Sequence, residues 1–235
     1  MIFIISPSKT MQRADIVTAG SIPIFLEKSR NLLQILQGFD VLKLQELYKC
    51  SKKIAEENEL RLRNIEEKSL AIYSYTGAQY KALDISSLLE HERQYVYNHT
   101  YIISGMFGIL RPLDLIYMYR LPLETTLKEI SLYQYWQESI MQIVQGKTII
   151  NLASQEYSKI IDARRANVID ILFYIQDAGK MRSPSMEVKK MRGIFLRYCA
   201  KNQIEDISEL LHFNENGYVF QKEQSNSTQI VFIKE

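Results

Sequence analysis

Ser6-Pro-Ser-Lys-Thr10 follows an apolar run at residues 1–5 and sets hydroxyls beside a lysine, a composition that suits an anion site. The segment also fits S-x-x-K. That motif opens a helix and needs Ser-Asp-Asn and Lys-Thr-Gly partners, which are missing, so an acyl-enzyme is excluded. Gly146-Lys-Thr148 looks like the end of a P-loop, but Met141 stands where the first glycine belongs and a strand-like stretch follows. In Ile102-Ile-Ser-Gly-Met-Phe-Gly-Ile-Leu-Arg-Pro-Leu-Asp114 two glycines lie three apart ahead of Arg111-Pro112. A helix-hairpin-helix element offers backbone N–H groups of a glycine hairpin to a phosphate. Its glycines usually stand two apart, so Gly105 and Gly108 fit either that role or a tight turn with close backbone packing.

A basic helix is the other candidate. Residues 159–201 hold ten basic and four acidic side chains, a net +6 in a chain of net +2, which leaves −4 for the remainder. At helical spacing Lys190, Arg197 and Lys201 share one face, with Lys189 near it, opposite Val188, Met191, Phe195, Tyr198 and Cys199. Such a row reads as a solvated face or as a phosphate-backbone contact. Arg192 falls on the flank of the apolar side and so is either paired or aimed into a cleft. Gly193 in mid-helix costs roughly 1 kcal/mol relative to Ala, which a close approach of another backbone or of a ligand would explain.

His91, His99 and His212 have no ligand spacing, and no cysteine or carboxylate completes a metal set. No metal and no cofactor are expected. Asp114 and Glu156 are the best-placed acid/base candidates. Tyr117, Tyr119, Tyr133 and Tyr135 gather with Trp136 and Arg120, as a core and its rim or as a stacking surface for bases.

The elements that must position these groups are mixed. Strands are expected at 1–5, 70–75, 95–103, 147–152 and 168–174, with a closing hairpin of 217–221 and 230–233. Helices are expected over 24–63 with one break at Gly38-Phe-Asp40, and over 78–83, 132–144 and 153–161. A last helix runs from Ser183 as N-cap, with Pro184 at its first position, to about 202. Residues 11–23 have loop character, and Asp177-Ala-Gly-Lys180 reads as a turn. Without regular alternation, repeats or a linker, the economical reading is one α+β domain spanning 1–235, a mixed sheet with surrounding helices.

The chain is 46% hydrophobic and 24% charged, with two cysteines. That excludes disordered, collagenous and disulfide-scaffold classes. No apolar run approaches the ~20 residues of a membrane span, and no secretory leader is visible. A cytoplasmic protein with no membrane partner is expected.

Several segments together resemble the YaaA family of bacterial peroxide-stress-response proteins. They are Ile5-Ser-Pro-Ser-Lys-Thr10, Tyr75-Thr-Gly77, Ser104-Gly-Met-Phe-Gly-Ile-Leu-Arg-Pro-Leu-Asp114, Tyr119-Arg-Leu121, Leu132-Tyr-Gln-Tyr-Trp136, Ile150-Asn-Leu-Ala-Ser154, Lys189-Lys-Met-Arg-Gly193 and Phe213-Asn-Glu-Asn-Gly-Tyr-Val-Phe220. The resemblance implies an α+β fold with a positively charged cleft and a helix-hairpin-helix-like element. It also implies DNA binding tied to oxidative-stress protection and repair, and a link to low free iron. Carried over, the phosphate contacts are Lys9, Arg111, Arg120, Lys189, Lys190 and Arg192, with the hairpin at Gly105 to Gly108. Arg197 and Lys201 join them from the basic helix face. Three positions depart from the family pattern. Ser8 and Met191 each stand where alanine is common, and Gln155 stands where an aspartate is common.

Two functions follow. One is a peroxide-stress protein that binds double-stranded or distorted DNA through phosphates with little sequence specificity. The other is an enzyme acting on a phosphorylated or nucleotide substrate in a pocket around Lys9, Arg111, Asp114, Arg120 and Glu156. A dedicated iron site finds no support in the ligand inventory.

Overall fold

The first strand, β1 (Ile2–Ile5), is buried at every position, as a run without alternation is when both sheet faces are covered. In the computed structural model, which describes residues 1–14, 19–66, 68–177 and 179–235, β1 is the pivot of the main sheet. It pairs in parallel with β3 (Thr100–Ser104) on one side and β8 (Thr148–Leu152) on the other. Beyond β8 the parallel order continues through β9 (Asn167–Asp177) to β12 (Gln229–Lys234). Antiparallel strands form the margins: β4 (Gly108–Leu110) beside β3, β11 (Tyr218–Phe220) beside β12, and β10 (Lys180–Arg182) on the end of β9. Two small ribbons lie apart, β2 (Lys68–Leu70) with β5 (Leu115–Tyr117) and β6 (Thr126–Leu127) with β7 (Ile130–Ser131).

The helices are α1 (Leu26–Gln37), α2 (Val41–Tyr48), α3 (Lys52–Arg63), α4 (Ala71–Ser74), α5 (Ala78–Leu83), α6 (Glu90–His99), α7 (Leu132–Val144), α8 (Gln155–Ser158), α9 (Ser185–Lys201) and α10 (Ile207–Leu210). They surround the mixed sheet in a single α+β domain, and one hydrophobic cluster runs from Ile2 to Phe232. Among the described residues no helix is long and apolar enough to cross a membrane.

Local expectations fail where chain contacts override pattern. Residues 24–63 break twice, the second time at Lys49, which adopts φ 48° without any glycine to signal it. Of the strand expected over 70–75 only Leu70, the end of β2, is in a strand element. The next turn is helical, with Ala71 and Ile72 N–H donating to the carbonyls of Asp114 and Pro112. Residues 95–99 close helix α6, whose first turn is fixed by the Glu92 carboxylate accepting from Leu89 N–H, and the strand begins only at Thr100. Helix α8 spans four residues rather than nine. Pro184 is the N-cap of α9, because the Ser183 hydroxyl donates instead to the Phe173 carbonyl. Residues 15–18 of the expected loop and Ala178 of the expected turn lie outside the described residues.

The segment expected to be helix-hairpin-helix-like is a β-hairpin. Gly105 to Gly108 join β3 to β4, and every residue from Ile102 to Leu110 is buried. The Ser104 hydroxyl takes the N–H groups of Met106 and Phe107, and Trp136 Nε1 donates to the Gly105 carbonyl at 2.8 Å. Gly108 sits at φ 73° with its α-carbon against the Trp136 ring. The glycine spacing therefore serves packing, and the N–H groups of Met106 and Phe107 in the turn are already taken.

Gly193 lets α9 lie directly on α5: a Cβ there would collide with the Gln79 carbonyl oxygen and crowd Leu83 N. Gly193→Ala gains about 1 kcal/mol of helix propensity but overpacks the contact by about 3 kcal/mol. We expect a net loss of about 2 kcal/mol, read as a lower urea midpoint with unchanged slope.

Candidate functional site

The chain passes from β1 to β3 on one side and then returns to β8 on the other, so strand order reverses at β1 and β8. In open parallel sheets a crevice forms outside the carboxyl ends of the strands at such a switch. Here the two strand ends are tied together. Ser154, just past β8, donates its N–H to the Ser6 hydroxyl at 2.8 Å, and the Ser6 hydroxyl donates to Ser154 Oγ at 3.3 Å. Asn151 supports the turn by accepting from Ala153 N–H at 2.9 Å and donating to the Asp170 carboxylate at 2.6 Å.

Helix α5 forms the roof. Tyr80 donates its hydroxyl to the Ser6 carbonyl at 2.7 Å, and Gln79 Nε2 donates to the Leu152 carbonyl at 3.1 Å. Gly77 admits the Ser6–Thr10 loop, since a Cβ would stand 2.6 Å from Ser8 Oγ. Helix α9, laid on α5 through Gly193, supplies the third wall with Met186, Lys189 and Arg192 spaced three apart on one face.

The cleft is open to solvent on one side, has a volume of 330 Å³ and is lined by the loop Ser6 to Thr10, Gly77 to Tyr80, Ser154, Glu156, Tyr157 and the α9 face. Lys9 and Lys189 are exposed at its edge, while Arg192 reaches in partly buried. Arg192 Nε is buried with no hydrogen-bond partner. Burial lowers its pKa, opposed by the nearby Asp170 carboxylate. Glu156 Oε1 is likewise buried and unpartnered. Burial is the first cause of its raised pKa, Glu124 the second, and Lys9 opposes both. Beneath lies a buried tyrosine cluster: Tyr75 and Tyr119 hydroxyls 2.7 Å apart, Tyr119 to Ser104 at 2.6 Å, with Tyr80 and Tyr157 beside them. Burial raises all four phenols, Tyr119 to about 12. They stay neutral and act as rigid hydrogen-bonding supports.

The structure sorts the expected site residues. Lys9, Lys189, Arg192 and Glu156 meet in the cleft. Arg120 lies behind the same loop, in a smaller recess with Pro7, Ser8 and Lys9. Arg111 and Asp114 do not join them. Asp114 is fully buried and accepts from Ser21 Oγ, Arg111 N, Arg111 Nε and Arg111 Nη2, so the pair closes a turn. Arg197 donates to the carbonyls of Leu83 and Asp84 at the end of α5 and is a helix cap. Lys190 and Lys201 are exposed on α9 and line none of these spaces. Tyr133 and Tyr135 hydroxyls are committed to the carbonyls of Glu156 and Lys28.

Gln79, Tyr80, Ser154 and Tyr157 were not singled out as site residues by type or spacing. Tyr75-Thr-Gly77 and Ile150-Asn-Leu-Ala-Ser154 flank them and were the available signal. Among the described residues no group of three or more His, Cys, Asp or Glu is placed to hold a metal.

The family described as peroxide stress protein YaaA matches residues 1–224. Over their full lengths and that of this chain, a UPF0246 protein of Francisella tularensis is 35% identical across 255 aligned residues and one of Francisella philomiragia 36% across 256. A UPF0246 protein of Rickettsia rickettsii is 32% identical across 247, again with both chains fully covered. The chain belongs to the YaaA family of peroxide stress proteins.

Two outcomes test the division into cleft and scaffold. Asp114→Ala removes the buried carboxylate that Arg111 and Ser21 share and should cost about 3 kcal/mol of stability. Glu156 holds its proton more tightly folded than unfolded, so its contribution favours the fold at low pH and is lost as pH rises from about 4.5 through the raised value. Urea midpoints measured between about pH 4 and about pH 7 should fall less steeply in Glu156→Gln than in the native protein.

Proposed function

We propose that this peroxide stress family member binds DNA through phosphates, with the switch-point cleft receiving a phosphate of an unpaired or distorted strand. The observation that carries this reading is Arg192. Its partly buried guanidinium enters a cleft also edged by Lys9 and Lys189, and its Nε has no protein partner. A buried charged donor left unpaired is costly, and an anion with a forked acceptor geometry is its natural complement. The Ser154 hydroxyl and one hydroxyl of the Ser8–Thr10 pair add donors around the same space.

A cleft of 330 Å³ has the scale of a nucleotide-sized group rather than of a duplex, which favours strands that can present a nucleotide out of the stack. The exposed Lys190 and Lys201 extend positive charge along α9 and would attract neighbouring phosphates without reading bases.

Glu156 favours a second reading, an enzyme acting on a phosphorylated or nucleotide small molecule. A carboxyl with a raised pKa beside Lys9, inside a cation-lined cleft, is suited to donate a proton to a bound anion.

Salt titration of binding to a fluorescent bubble-containing DNA, with the matched duplex beside it, tests the proposal. Tighter binding to the bubble is expected, with log affinity falling linearly against log salt. Arg192→Met should weaken binding about tenfold and flatten the slope by about 0.7. Absence of binding at low salt would overturn the DNA reading, and turnover of a nucleoside phosphate in that case, lost in Glu156→Gln, would support the small-molecule one.

A further inference from the structure

The recess behind the Ser6–Thr10 loop has a volume of 20 Å³, room for about one oxygen atom of water size. Pro7, Ser8, Lys9 and Tyr157 wall both this recess and the main cleft, so Lys9 belongs to both spaces. Arg120 lines the recess, and its Nε is buried without a hydrogen-bond partner, as is Arg192 Nε in the main cleft. Three of the other guanidiniums are committed: Arg111 to Asp114 and the Ile22 carbonyl, Arg165 to Glu138, Arg197 to two backbone carbonyls. Beside Arg120 the buried Tyr48 hydroxyl also lacks a partner, and the guanidinium opposes the rise that burial gives that phenol. Two forked donors in two spaces that share one loop and its lysine are complementary to two anionic groups of one ligand.

We infer that Arg120 forms a second anion subsite that takes one oxygen of a second phosphoryl group into the recess, so that the ligand of this cleft carries two such groups, one at Arg192 and Lys189 and one reaching Arg120 through that oxygen, with Lys9 lining both spaces. The inference rests on the phosphate-binding reading above and names the ligand class for it. Two sources share this chemistry, a diphosphate and successive phosphates of a strand.

Isothermal titration of the intact protein separates them. The probes are inorganic phosphate against pyrophosphate, and thymidine 5′-monophosphate against the 5′-phosphorylated dinucleotide pTpT. At least one two-phosphate probe should bind tenfold or more tighter than its single-phosphate counterpart. A gain with pyrophosphate identifies a diphosphate, and a gain with pTpT alone identifies a strand. Arg120→Met and Arg120→Gln should each abolish the gain while leaving single-phosphate affinity within twofold. Equal affinity within both probe pairs, or a gain that survives in the Arg120 variants, overturns the second subsite while the phosphate cleft stands. Failure of all four probes to bind removes the phosphate-binding reading itself. Should both variants fail to fold, Arg120→Lys, which keeps the charge and loses the fork, should shrink the gain at least threefold, and an undiminished gain overturns the assignment to Arg120.

Discussion

Parallel pairing of β1 on both of its edges is the constraint from which the rest of the molecule follows. A central strand flanked by β3 and β8 has no free edge, so the chain can leave only past its carboxyl end. It does so through Ser6, whose hydroxyl is at once tied to Ser154 at the end of β8. That tie fixes the two lips of the crevice relative to each other. The roof is then hung from the same residues, since Tyr80 bonds the Ser6 carbonyl and Gln79 the Leu152 carbonyl.

Close contact between backbones does the remaining positioning. Gly77 brings α5 onto the Ser6–Thr10 loop and Gly193 brings α9 onto α5. Both act by the absence of a Cβ rather than by unusual dihedral angles. Through this stack the α9 face is delivered to the crevice, and Lys189 and Arg192 arrive opposite Lys9. The basic character of residues 159–201 is thereby divided. Arg164, Arg165 and Arg182 are held by Asp162, Glu138 and Asp177, and Arg197 is held by carbonyls. Arg192, by contrast, retains a buried, unpartnered N–H. Charge spent on neighbours supports the fold, and charge left unpaired in a concave space is what a ligand can use.

The same distinction explains how far the sequence could be read. The strand at residues 1–5, the helices at 78–83 and 132–144, the strand at 147–152 and the closing hairpin were legible, because continuous apolar runs and helical periodicity are local properties. The cost of Gly193 in mid-helix pointed to a close approach of a backbone or of a ligand, and the Gln79 carbonyl decides for the backbone. Residues 71–74 and 95–99 are helical although their aromatic and β-branched content suits a strand. Gly105 and Gly108 had two readings, and the Trp136 ring decided for packing.

Composition, periodicity and motif order determined by themselves that this is an α+β chain of the YaaA kind, with a basic C-terminal helix and a hydroxyl-rich loop after its first strand. Which charges are available was decided only by tertiary structure. Arg111 and Arg120 stand nine residues apart in similar company, yet one closes a turn on buried Asp114 and the other faces a recess beside Lys9. Sequence fixes the type of each side chain, but whether a cation is neutralised depends on which acceptors the strand order brings within about 4 Å of it, and that order is a property of the folded sheet.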